Sequence, residues 1–434
     1  EGAYLKGKLD GVWKYYYRIG SLKSEFKYSD DKIQGEGIEY FRSGGRKYVT
    51  NYVDGEREGY FQEFYPHGQV KLEGWFQKDK RQQQWISYYP DGNIEGDYYY
   101  LMDNSNGLCY DFNPDGKMYV ATLYDDGSLI NSTNYTVSGD VATQSRKEGN
   151  TIFLETKFKS GKPQSKLSIT CGDYSNMVTK WFPDGELFYF ITLSGGKRHG
   201  LYQFNSPNGQ TEVKGNFIEG KKDGFWEAHY YNGKKEYTGW HSEGEGDSVW
   251  TFYHLNGNIS STSEYKNDER EGITKQYDGD GKLVLEKNHI NGDMISYRPV
   301  VDGAYGEWIP FKSDASIVVK YSNGKIAFEE NYKNGILEGV KRLYYSSGRL
   351  YSQFQYALGD YAGPYTLYYA NGKILEKGNY ILDEKNGEVE WFNEDGSLNH
   401  TENYLMGLRQ GKSVWYEKGV KVREFNFWGG MVNE

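Results

Sequence analysis

Long apolar runs, helical periodicity, basic clusters and catalytic motifs are all missing from this chain. No run of 18 apolar residues occurs in its 434, which argues against a spanning helix. No stretch of 11 or more residues keeps apolar positions at i, i+3, i+4 and i+7 without interruption by Gly or Asn, so helix is not expected. The 51 basic and 61 acidic residues give a net charge of -10, scattered in both signs without a long basic run. Nucleic acid and anionic lipid head groups are therefore poor candidates as partners. Only two cysteines are present, Cys109 and Cys171. Two free thiols are expected, a disulfide between them stays open, and the redox compartment stays open with it.

Motifs that would carry chemistry are equally scarce. The segment Gly407 to Ser413, GLRQGKS, has three residues between its glycines where a phosphate-cradling loop needs four, and it leads into a strand pattern. The seven histidines (His67, His199, His229, His241, His254, His289 and His400) show no zinc-type spacing. Asp278 and Asp280 in YDGDGK lack the further ligands of a calcium loop, so a turn explains them. No G-x-S-x-G elbow occurs. The expectation is a protein without catalytic residues, cofactor or metal.

What the chain does have is a count of twenty-four. Gly11, Gly35, Gly59, Gln83 and Gly107 keep that spacing, then Gly200, Gly224, Ser248 and Gly272, then Gly339, Gly363, Gly387 and Gly411. A second glycine follows nine residues later, as at Gly20, Gly68, Gly209, Gly257, Gly348 and Gly396. A period between 20 and 50 residues marks a repeat array. Two glycine marks per unit are read as two turns, hence one β-hairpin per unit. Segments such as YPDGN, NPDGK and YANGK supply turn residues that tolerate positive φ, and Pro90, Pro114 and Pro183 preset the first corner. Apolar residues after the turn (Leu22, Val70, Ile94, Leu350) and aromatics six further on (Tyr28, Phe76, Tyr100, Tyr356) read as the rungs between hairpins. The fold class expected is all-β, an elongated array of about 18 consecutive 24-residue hairpins forming a twisted antiparallel sheet.

The rhythm weakens twice. From Gly107 to Gly200 is 93 residues against 96 for four units, and from Gly272 to Gly339 is 67 against 72 for three. Shortened hairpins account for this, with turns at Gly139, Gly161 and Gly303. The expected divisions are repeats over 1–130, divergent repeats over 131–176, repeats over 177–287, an irregular shortened repeat over 288–313, and repeats with a C-terminal cap over 314–434.

The units G-x-W-x-x-Y-Y-x-x-G-x, joined by segments such as YVDGEREG, FIEGKKDG, YKNGILEG and YLMGLRQG, resemble the bacterial MORN-repeat variant, whose members often carry the label of YwqK-type antitoxins. The resemblance covers nearly the whole chain. It implies twisted antiparallel sheets that serve as binding or scaffolding surfaces and brings no catalytic residues; the antitoxin label would imply a toxin partner.

Aromatics make up 17% of the chain against a mean hydropathy of -0.84, so burial must come mainly from Tyr and Trp faces. Trp13, Phe61, Trp85, Trp226 and Trp250 fall two residues after a unit start, with Tyr88 and Tyr253 three further on. Inter-unit packing is the plain reading of this stripe. If one face of a thin sheet stays open, these seven residues are the candidate partner-binding surface. A non-catalytic protein-binding scaffold, with a place in a bacterial cell-envelope assembly, is the function expected. An antitoxin or immunity protein with a dedicated toxin and a carbohydrate-binding surface module are the alternatives. The chain opens at Glu1 with no initiating Met and no visible signal sequence, which tilts the expectation toward an exported or envelope protein. Oligomeric state is left open.

Overall fold

Two kinds of reversal alternate along the chain and make each unit a hairpin. The computed structural model describes residues 1–434 except 18–19, 150, 159, 171–175, 195–196 and 434. One reversal lies at the second glycine. There Gly68 N–H donates to the Tyr65 carbonyl at 2.8 Å while Tyr65 N–H donates to the Gln69 carbonyl at 2.8 Å. The other is a two-residue turn with both residues at positive φ, as at Asp54 (53°) and Gly55 (88°), the geometry whose twist matches antiparallel strands.

The first glycine of the unit is therefore not a turn. Gly59 lies inside the strand Glu56–Phe64 at a φ of 95°. The pairing shifts there, from Thr50 opposite Phe61 to Tyr52 opposite Arg57, which makes the glycine a β-bulge. Gln83 and Ser248, which stand at this position in two units, are forced to the same left-handed conformation, at 61° and 59°.

The hairpins form an all-β array of three successive antiparallel sheets, running from Ala3–Leu5 to Val141–Gln144, from Arg146–Glu148 to Ile309–Pro310, and from Ala315–Lys320 to Met431–Asn433. No helix occurs among the described residues. The seams fall between 144 and 146 and between 310 and 315, inside or beside the stretches where the sequence rhythm fades. Gly139, Gly161 and Gly303 all take positive φ there, at 86°, 82° and 86°.

Side chains at the turns tie each unit to the next. Tyr65 Oη donates to the Tyr88 carbonyl at 2.8 Å, Tyr230 Oη to Tyr253 at 2.7 Å, and Tyr369 Oη to Phe392 at 2.7 Å. On the opposite edge a carboxylate oxygen accepts from a backbone N–H of the previous unit, as Asp79 from Arg57 at 3.0 Å and Asp103 from Arg81 at 2.9 Å. Each hairpin is thus clasped at both ends, the nearest-neighbour stabilisation of a repeat array.

The third sheet doubles back along the second. Its start packs Ile317, Val319 and Phe328 on Val284 and Leu285, and its end packs Phe425 and Phe427 on Phe182 and Phe188. Between these, the buried His400 and Trp391 meet Tyr231, and Arg409 bridges Glu402 in its own sheet (3.0 Å) and Glu212 in the other (2.6 Å). The first sheet is pinned at Arg42, which donates to the carbonyls of Asn291 and Gly292 at 3.0 Å and pairs with Asp293 at 3.0 Å.

Candidate functional site

Trp85 and Trp226 are 3% and 1% exposed, so they present nothing to a partner. Each lies flat on a glycine of the preceding strand. A Cβ built on Gly74 would come within 2.2 Å of Trp85, one on Gly215 within 2.2 Å of Trp226, and one on Gly239 within 2.2 Å of Trp250. The indole N–H then reaches a backbone carbonyl ten residues back, Trp75 from Trp85 (3.2 Å), Asn216 from Trp226 (3.2 Å) and Trp240 from Trp250 (3.1 Å). Trp13 repeats the arrangement over Gly2, with its N–H on Ala3 at 3.1 Å.

Phe61 sits opposite the buried Thr50 and stacks between units, its ring 5.6 Å from Trp85 and 5.4 Å from Phe76. Trp250 is half-buried, its ring 5.0 Å from His241, which itself lies 5.9 Å from Trp226. Tyr253 is half-buried at the turn edge, where its carbonyl takes the Tyr230 hydroxyl. The tryptophan stripe is inter-unit packing. The signal that could have shown this is the glycine eleven residues before each tryptophan, a bare backbone patch that a ring covers.

The open row lies one residue away, and because side chains alternate along a strand it faces the other side of the sheet. Tyr60 pairs across the strands with Trp75, and Phe225 with Trp240. Their exposures are 39%, 44%, 42% and 51%, with ring centroids 5.7 Å and 5.8 Å apart. Tyr99, opposite Gln84, is 44% exposed in the next unit. Tyr88 belongs to this face: its hydroxyl donates to Glu73 Oε1 at 2.7 Å, while Tyr60 donates to Glu73 Oε2 and Gln62 Nε2 donates to it at 3.0 Å. These donors outweigh the burial that would raise the Glu73 carboxyl and hold it below the usual range. Burial and that carboxylate push the Tyr60 hydroxyl up to about 12. The result is an outer patch in which one carboxylate ties down Tyr60 and Tyr88.

A second feature is a half-open cavity of about 1080 Å³ between the second and third sheets, with Phe41, Arg42 and Ser43 of the first sheet also on its wall. Lys287 and Lys341 flank Glu330 on its wall, at 2.6 Å and 3.8 Å. Burial lowers both lysines, Lys341 to about 8, while the two ammonium groups hold the Glu330 carboxyl low against its own burial. His289, beside them, is pushed down to about 3 by burial and by Arg270, Lys287 and Arg42. Residue spacing gave no hint of this cluster, because Glu330 and Lys341 lie on neighbouring strands of the third sheet while Lys287 comes from the second and meets them only when the array turns back.

The remaining candidates have structural partners. Asp278 accepts from the N–H groups of Asp280 (3.0 Å) and Lys282 (2.8 Å) and from Tyr321 Oη (2.6 Å), so YDGDGK is a turn that also staples two sheets. Among the described residues no group of three His, Cys, Asp or Glu is placed to hold a metal ion. Lys412 pairs with Glu424 at 3.2 Å. Cys109 is a buried free thiol; Cys171 lies outside the described residues. No helix among the described residues is long and apolar enough to cross a membrane.

Hairpins clasped unit by unit, with a bulge glycine inside the strand and a ring laid on the neighbouring backbone, define a β-hairpin repeat protein. The family described as the MORN repeat variant matches at 9–30, 198–219, 247–267, 270–291, 318–334 and 362–381, and the chain is a MORN-repeat protein. No curated protein matches it. A solved structure titled "Crystal Structure of TcdB2-TccC3" aligns with 95% of this chain and 28% of its own length, at 10% identity and a TM-score of 0.14. An overlap that loose carries no argument.

Proposed function

We propose that this protein is a non-catalytic scaffold that binds protein partners on its outer aromatic row. MORN repeats are in general associated with binding and scaffolding. The observation that carries the reading is the row itself. Tyr60, Trp75 and Tyr99 of the first sheet, and Phe225 and Trp240 of the second, keep about four tenths or more of their surface open in cross-strand pairs. Large rings, with Tyr60 among them tied down by Glu73, offer contact area with little entropy to lose on binding, which is what interface hot spots use. The three sheets act as three blocks of one platform, with the seams as the places where its curvature is set.

The test is affinity capture from the native organism, using wild type beside a Tyr60→Ser, Trp75→Ser pair and a Phe225→Ser, Trp240→Ser pair. A partner retained by wild type should be lost from one pair with circular dichroism unchanged, a cost of about 2 kcal/mol or more at a hot spot. Full retention by both pairs would overturn the reading. The same exposed rings suit a sugar surface; selective binding on a glycan array, lost in the same variants, would favour that alternative.

A further inference from the structure

The outer row of the first sheet has a definite width, donor set and charge. It runs through Tyr60, Trp75, Tyr99 and Leu108, for Tyr60 lies opposite Trp75, Gln84 opposite Tyr99 and Leu108 opposite Leu123 in three successive units. Leu108 is 51% exposed, so the open surface continues past the rings. The fold itself does not require apolar side chains there. The same position, one residue after the bulge glycine, holds Glu36 in the first sheet and Glu388 and Lys412 in the third, all exposed. A contiguous open row where the repeat accepts charge marks a contact surface.

The row is one residue wide. Two positions away on each strand stand polar residues, Glu58 and Gln62 beside Tyr60, Glu73 and Gln77 beside Trp75. An α-helix, about 10 to 12 Å across, lays a face of several side chains into a broader groove, and an added strand needs a sheet edge, which these interior strands lack. A polyproline II rod is narrow and repeats every three residues, about 9.3 Å. Two strands of the sheet advance about 9.6 Å, so successive units meet successive turns of such a rod. From Tyr60 to Leu108 is about 19 Å, the length of about six residues of it.

That rod has free backbone carbonyls and few N–H groups, so it is recognised by donors. The row supplies them. Trp75 Nε1 and Tyr99 Oη have no acceptor among the described residues, whereas the packed indoles of Trp13, Trp85 and Trp226 each donate to a backbone carbonyl. The charge is also one-sided. Glu73 is held by Tyr60, Tyr88 and Gln62, and Asp97 by Gln84 at 2.9 Å; neither forms an ion pair with Lys or Arg among the described residues. The row is therefore bordered by carboxylates that a basic ligand complements.

We propose that the outer row of the first sheet binds a proline-rich segment of a partner protein, laid across the strands as a polyproline II rod with Arg or Lys side chains beside Glu73 and Asp97. This rests on the scaffold reading above and adds the chemical class of its partner.

Calorimetric titration of the full chain near physiological salt with three peptides of equal length, repeating Pro-Pro-Arg, Pro-Pro-Glu and Ala-Ala-Arg, tests this. The Pro-Pro-Arg peptide should bind saturably with a Kd below about 1 mM, a weak but specific affinity. Pro-Pro-Glu, with the same backbone and the opposite charge, should bind at least about tenfold more weakly, as should Ala-Ala-Arg, which keeps the charge without the preformed rod. Trp75→Phe keeps a ring and drops the N–H, and should weaken Pro-Pro-Arg binding about fivefold, the worth of one hydrogen bond. Trp75→Ser should weaken it further, with circular dichroism unchanged because the side chain is exposed. Absence of saturation by Pro-Pro-Arg, equal affinity for Ala-Ala-Arg or Pro-Pro-Glu, or unchanged binding in Trp75→Ser would overturn the proposal. The capture experiment with the serine pairs reads the row independently of ligand class. A partner lost there while Pro-Pro-Arg fails to bind overturns the proline-rich ligand and leaves the scaffold reading standing.

Discussion

Gly215→Ala is the sharpest test of how the tryptophan stripe is packed. The new Cβ would stand 2.2 Å from Trp226 Cδ2 and 2.3 Å from Cε2. Carbon atoms rest at about 3.5 to 4.0 Å, so the ring would have to retreat by more than about 1 Å. It has no room to do so. Trp226 is 1% exposed, its N–H is fixed on Asn216 at 3.2 Å, and Tyr202 and Phe217 stand 5.6 Å and 5.2 Å away. Overpacking of this kind costs about 1 to 3 kcal/mol and a lost hydrogen bond about 1, so a destabilisation of about 2 to 4 kcal/mol is expected. Backbone effects act in the opposite sense. Gly215 is not in the left-handed region, so on chain entropy alone the alanine would stabilise by about 0.4 to 1 kcal/mol. The sign of the change therefore decides the matter. Urea unfolding followed by tryptophan fluorescence gives the global effect, and hydrogen exchange across 211–242 gives the local one, since repeat arrays open in parts. Trp226→Leu in the same background should recover about 1 kcal/mol or more through the coupling of touching residues. A neutral or stabilising Gly215→Ala would refute the ring-on-glycine packing.

Other outcomes follow from the same geometry. Gln83→Gly and Ser248→Gly should each stabilise by about 0.5 to 1 kcal/mol in thermal or urea melts, because both residues are held at positive φ where glycine carries no penalty; a loss of stability would mean their side chains matter more than their backbone. Burial holds His254, His289 and His400 neutral, at about 4, 3 and 4. The unfolded chain binds protons that the native state refuses, so stability should fall as pH drops from about 6.5 toward 4, by up to about 3 kcal/mol per histidine. A flat profile of unfolding free energy over that range would contradict the burial. Arg409→Ala leaves Glu402 and Glu212 without their shared cation; a cost of about 3 to 5 kcal/mol and a larger radius in X-ray scattering are expected as the end of the third sheet lifts from the second. An unchanged radius and stability would mean the phenylalanine contacts alone hold that end.

The sequence by itself determined the hairpin, the period and the strand content. Those are local matters: Asp-Gly and Asn-Gly turns fix reversals, aromatic strands fix the pleat, and a repeat of twenty-four fixes the number of units, all within a few residues of one another. It did not separate turn from bulge, because Gly55 and Gly59 both need positive φ and only pairing partners tell them apart. Nor did it choose the face. Trp85 and Trp75 are alike in sequence, and a difference of one strand position, together with Gly74 beneath one ring, buries the first and exposes the second. The tertiary structure alone decided the return of the third sheet over the second, because the contacts that hold it, Phe182 with Phe425 and Glu212 with Arg409, join residues far apart in sequence that no repeat rule relates. The cavity exists for the same reason: the pairing of strands within the third sheet sets Glu330 beside Lys341, but Lys287 joins them only where the second and third sheets meet.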